Sequence, residues 1–136
     1  MDNTNLVQPS QAPSDKKKIL IVEDDFFIRD LYELQARKAG YDVVIAADGA
    51  EAIEKARKEI PDILLIDLML PKMDGLTVMK TVKADSRFSN TPCVIVTNLE
   101  DATKEQEAKS AGAAGYLLKI QNTPEMVIQS LATYIH

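Results

Sequence analysis

From Lys18 onward the chain alternates between two hydrophobic rhythms. Short continuous apolar runs occur at Ile19–Val22, Val43–Ala46, Ile63–Ile66, Cys93–Val96 and Gly115–Leu118. Each is too short for a helix of this kind and rich in Val, Ile or Leu. Runs that are apolar at every position suit strands covered on both faces, as in a parallel sheet. Between them, apolar residues recur at helical spacing. Residues 26–39 place Ile28, Leu31 and Ala39 on one stripe, closed by Gly40. Residues 49–59 follow Asp48, carry Ala52, Ile53 and Ala56, and stop at Pro61. Residues 75–84 group Leu76, Met79 and Val82, and residues 101–111 are rich in Ala and Glu and end at Gly112. A last helix opens with Thr123-Pro124, a capping residue followed by Pro at the first helical position.

Five strands alternating with five helices predict an α/β fold. The sheet is parallel, its crossovers are right-handed and helices cover both faces. Residues 1–15 are polar, hold two prolines and show no period, which predicts a disordered tail ahead of one domain over 16–136. In open sheets of this kind, sites form beyond the C-terminal ends of the strands. The residues at those ends therefore carry the functional question.

Strand one ends in Glu23-Asp24-Asp25, strand three in Asp67, strand four in Thr97 and strand five in Lys119. Taken singly, each has a plain structural role. Asp24 or Asp25 can cap the first helix, Thr97 suits a strand, and Lys119 can be a solvated strand end. Asp67 is harder to explain this way. It follows four apolar residues, and Pro71 disfavours helical geometry at Leu70. A buried, unpaired carboxylate is costly. Together, the strand ends bring acids, a hydroxyl and an ammonium to one sheet edge. Carboxylates crowded there repel one another, and a hard divalent cation such as Mg²⁺ (or Mn²⁺) relieves that repulsion. A metal, a hydroxyl and a lysine around one carboxylate suit an oxyanion-rich phosphoryl group. Asp67 is thus the expected nucleophile for phosphoryl transfer.

Composition narrows the partners. The chain of 136 residues has a formal net charge of -5, which argues against a nucleic-acid surface. The basic cluster Lys16-Lys17-Lys18 reads as a solvated strand entrance. No apolar run approaches a membrane span, and the start of the chain lacks a signal-peptide layout, so a cytoplasmic location with no membrane partner is expected. Cys93 is the single cysteine and His136 the single histidine. Intrachain disulfides and Cys-based zinc sites are excluded, and any phosphohistidine must come from a partner.

The motifs "ILIVEDD", "LLIDLMLPKMDG", "VIVTN" and "AGAAGYLLK" resemble the receiver domain of bacterial two-component response regulators, over residues 17–135. The resemblance implies a flavodoxin-like sheet of strand order 2-1-3-4-5. It implies that Asp67 is the phosphoacceptor. Glu23 (through water), Asp24, Asp67 and the backbone carbonyl of Met69 would serve the metal. Thr97 and Lys119 would contact the phosphoryl group, and Tyr116 would be the aromatic switch. Implied partners are a sensor histidine kinase or histidine phosphotransfer protein and a downstream protein target. With no output domain expected after the last helix, a stand-alone regulator acting through protein contacts is expected. Phe27 and Leu34, seven apart on helix one, are docking candidates, with partly buried core as the equal alternative.

Two positions depart from the family pattern. Ile120 follows Lys119 where the family usually has Pro in a cis peptide, so either Lys119 is held differently or strain is tolerated. Asn98 replaces a small residue after Thr97 and is expected to narrow access. These departures motivate an alternative function, a phosphorylation-independent adaptor. An aspartate-nucleophile phosphatase is disfavoured by Met69, where a second acid is wanted. Nucleotide or flavin binding is disfavoured by the acidic, glycine-free loop Glu23–Phe27.

Overall fold

The structure, a computed structural model, describes residues 15–135. Apart from Asp15, the expected tail over 1–15 lies outside the described residues. The strands are β1 (Lys18–Val22), β2 (Asp42–Ala46), β3 (Ile63–Asp67), β4 (Cys93–Thr97) and β5 (Gly115–Leu118). The helices are α1 (Phe26–Lys38), α2 (Gly49–Glu59), α3 (Gly75–Lys83), α4 (Ala102–Ser110) and α5 (Pro124–Ser130). All strands pair in parallel, in the order β2-β1-β3-β4-β5. The fold class expected from the sequence is the one observed.

Alternation along the strands splits the core in two. Leu20, Val22, Leu64, Ile66 and Ile95 face α2, α3 and α4, where Ala52, Met79 and Ala108 meet them. Ile19, Ile21, Leu65, Val94 and Val96 face α1 and α5, where Tyr32, Ala36, Val127 and Ile128 meet them. Every residue of β3 and β4 is buried. That is the physical reason their sequences are apolar without a period of two.

Aspartates start four of the helices. Asp25, Asp48, Asp74 and Asp101 each accept backbone N–H bonds of the first turn, and Thr123 does the same for α5. Gly40 and Gly112, with φ of 96° and 106°, follow α1 and α4 in the left-handed region where glycine is favoured.

Helix α1 corrects one expectation. Its buried residues are Tyr32 and Ala36, with Ile28 and Leu31 only partly covered and Ala39 exposed. The buried row runs Ile28–Tyr32–Ala36, at i, i+4 and i+8, and Ala39 is already the C-cap.

Candidate functional site

Parallel strands all point their C-terminal ends at one edge, and the sheet order makes β1 and β3 central neighbours. Glu23 therefore emerges beside Asp67. Asp25 is committed to capping α1 through bonds to the N–H groups of Phe27 and Ile28, at 2.9 and 3.1 Å. Asp24 is left free and exposed between them. Glu23, Asp24 and Asp67 each offer a carboxylate oxygen, and these oxygens lie within 4.8 Å of one another. Glu23 and Asp67 are 1% and 4% exposed, so their charges cannot be left to water.

Lys119 offsets part of that charge. Its Nζ donates to Glu23 Oε1 at 2.8 Å and to Asp67 Oδ2 at 3.1 Å. It opens a short 3-10 turn, Lys119–Gln121, in which Asn122 Nδ2 donates to the Leu118 carbonyl at 2.9 Å. No peptide bond among the described residues is cis. Lys119 thus reaches the carboxylates from a trans peptide with Ile120 following it. Ile120 is 78% exposed.

Two carboxylates on one ammonium still leave net negative charge. Burial pushes the Glu23 carboxyl up to about 7; the Lys119 hydrogen bond opposes this and the Asp67 charge adds to it. Lys119 itself is lowered by burial, but its bonds and charge partners outweigh this and hold it above the usual lysine range. A set of clustered carboxylate oxygens with a surplus of negative charge is the donor chemistry of a hard divalent cation. The residues present fit Mg²⁺.

The remaining Asp67 oxygen, Oδ1, accepts the Met69 N–H at 3.1 Å. The Met69 side chain is exposed. Gly75, at the start of α3, packs its Cα onto the Asp67 carbonyl so closely that a Cβ would collide with backbone. Its N–H also bonds the Leu68 carbonyl at 2.8 Å. A glycine is required there because α3 begins directly against the strand that carries Asp67.

Thr97 is fully buried at the end of β4. Its Oγ1 accepts the Leu99 N–H at 3.0 Å, which leaves the hydroxyl proton available to an acceptor. Tyr116 is half-buried against the α4-side core, and its hydroxyl donates to the Leu99 carbonyl at 3.0 Å. Asn98 is exposed. On α1, Phe27 and Leu34 are 67% and 53% exposed, and Phe26 joins them at 65%. Partial burial of Phe27 and Leu34 in the core is thereby ruled out. Sequence reasoning missed Phe26, and it missed Leu99, which acts through main-chain atoms that any residue supplies.

Sheet order and the acidic edge define a CheY-like, flavodoxin-type α/β domain. Membership is narrower still. Residues 19–130 match the family described as the response regulator receiver domain, and the chain belongs to that family. It is 37% identical over 110 residues to the DNA-binding dual master transcriptional regulator RpaA of Synechocystis sp., covering 81% of this chain and 46% of that protein. It is 29% identical over 117 residues to protein PilG of Pseudomonas aeruginosa, covering 86% of this chain and 87% of that protein. Among solved structures, chemotaxis protein CheY4 of Vibrio cholerae superposes with a TM-score of 0.83 at 35% identity, covering 88% of this chain and 99% of that one. The chain spans less than half the length of the first curated relatives it matches. Receiver domains are signalling domains of two-component systems. They bind Mg²⁺ at an acidic pocket and interact with histidine kinases or phosphotransfer proteins. No helix among the described residues is long and apolar enough to cross a membrane.

Proposed function

We propose that the chain is a phosphoacceptor whose Asp67 takes a phosphoryl group from a partner's phosphohistidine and so switches its protein contacts. One observation carries the reading: Lys119 Nζ sits within 3.1 Å of Asp67 at the mouth of a cluster of clashing carboxylates. In the transfer, an Asp67 carboxylate oxygen forms a bond to phosphorus as the bond from phosphorus to the donor imidazole nitrogen breaks. The imidazole keeps that electron pair, and the product is an aspartyl phosphate.

Glu23, Asp24, Asp67 and the Met69 carbonyl would hold Mg²⁺, with Glu23 acting through water, and the ion would offset the charge of the transferring group. Lys119 and Thr97 supply the other two stabilising contacts. Lys119 exchanges a carboxylate for a phosphoryl oxygen, and the free Thr97 proton donates to another. Such a donation moves the Thr97 hydroxyl and pulls on the Leu99 N–H. Through Leu99 the pull reaches Tyr116 and the surface of β5 and its flanking helices, where a population shift alters partner affinity.

The exposed Phe26, Phe27 and Leu34 on α1 suit docking of the phosphohistidine protein beside Asp24. The domain spans residues 16–136, and the -5 net charge favours protein partners over nucleic acid. Incubation with acetyl phosphate and Mg²⁺, followed by intact mass, tests the reading. Wild type gains one phosphoryl group and Asp67→Asn gains none. No gain on wild type, or equal gain on the variant, contradicts it.

A further inference from the structure

Glu23 has all of its polar atoms engaged. Its N–H donates to the Ala46 carbonyl at 3.1 Å, which ties it to β2. Its carboxylate accepts from Lys119 Nζ and, through Oε2, from the Asp25 N–H at 3.1 Å. Its carbonyl accepts from Arg29 Nη1 at 3.0 Å. That carbonyl belongs to the peptide joining Glu23 to Asp24. Rotation of this one peptide would swing the exposed Asp24 carboxylate relative to the two buried ones. Two of these anchors act on the Asp24 side of Glu23: the Asp25 N–H closes over Asp24 onto the Glu23 carboxylate, and Arg29 reaches the Glu23–Asp24 peptide itself from α1.

Arg29 bears signs of being held for this purpose. It lies one turn into α1, its own N–H bonded to the Asp25 carbonyl at 2.9 Å. Its guanidinium lies over the Phe26 ring at 5.9 Å. Its Nε is buried and has no hydrogen-bond partner among the described residues.

We infer that Arg29 is a positioning residue for the cation site: by fixing the Glu23–Asp24 peptide from α1, it holds Asp24 in line with Glu23 and Asp67. The inference rests on the proposed Mg²⁺ site and assigns it an outer support. Metal sites commonly depend on such second partners, whose loss weakens affinity about 10- to 100-fold.

Titration calorimetry with MgCl₂ on the intact chain tests this, alongside thermal melts in EDTA. Arg29→Met, which cannot donate, is expected to weaken Mg²⁺ binding about tenfold, while Arg29→Lys, which can, stays within about threefold of wild type. Equal affinity of wild type and Arg29→Met overturns the inference, even if the melting temperature of the variant falls. If Arg29→Met does not fold, Arg29→Lys decides alone, and a loss beyond about tenfold there overturns it. A wild type that binds no Mg²⁺ overturns the reading of the site and this inference with it. A wild type that binds, beside an unaffected Arg29→Met, overturns the inference only.

Discussion

Thr97 and Tyr116 share a single intermediary: the N–H of Leu99 bonds the Thr97 hydroxyl and its carbonyl bonds the Tyr116 hydroxyl, each at 3.0 Å. The two side chains sit on adjacent strands, β4 and β5, and one loop residue ties them together. Removing the phenol leaves the Leu99 carbonyl without this donor. Tyr116→Phe is expected to lower stability by about 1 kcal/mol in a urea melt. It should leave phosphoryl uptake at Asp67 intact, because no Tyr116 atom bonds the carboxylate cluster. In NMR spectra, the Leu99 amide should shift on phosphorylation of wild type. An unmoved Leu99 amide would remove the proposed link.

Lys119 and Glu23, ninety-six residues apart in sequence, form a 2.8 Å ion pair inside the protein. Breaking a buried pair from one side leaves the other charge uncompensated. Lys119→Met is expected to destabilise the metal-free protein by about 3 kcal/mol near pH 8. At pH 5 the penalty should shrink, since Glu23 is then largely protonated and needs no cation. Urea melts in EDTA at the two pH values check this, and a penalty that grows toward pH 5 would contradict it.

The raised Glu23 carboxyl gives a separate pH signature. Its ordinary value is 4.5 and its folded value about 7, so the folded state holds its proton more tightly than the unfolded state. The contribution is fully present below 4.5 and is lost as pH rises through about 7. Without metal, wild type should therefore lose stability relative to Glu23→Gln across that window, on the order of 3 kcal/mol. A difference between the two that stays constant with pH would contradict the assignment.

The fold was readable because its signals are local and redundant. Five apolar runs, capping aspartates and terminal glycines all point to the same alternation. Asp67, Thr97 and Lys119 were readable for a different reason: in a parallel sheet, chain order alone puts the strand ends on one edge. The α1 stripe was misread because Tyr32 carries a polar tip and Ala36 is small, so neither stands out as core beside Leu31. Phe27 and Leu34 could not be placed, since burial on an amphipathic helix depends on which neighbour covers it, and α5 covers the Tyr32 side. Arg29 and Leu99 were invisible because they work on or through main-chain atoms, which leave no mark in the sequence.

Met69 governs a kinetic prediction. Its side chain is exposed two residues past Asp67 and has no group able to align an attacking water. A phosphorylated wild type should outlast phosphorylated Met69→Asn several-fold, followed by loss of the phosphoprotein mass after donor removal. A shorter-lived wild type would count against this role.

Asp67 as the carrier of the phosphoryl group is tested by proteolytic mapping of protein treated with acetyl phosphate and Mg²⁺, with and without hydroxylamine, which cleaves acyl phosphates. The predicted result is a single modification on the peptide containing Asp67, abolished by EDTA and removed by hydroxylamine. A modification on any other peptide, or one that survives hydroxylamine, would contradict it.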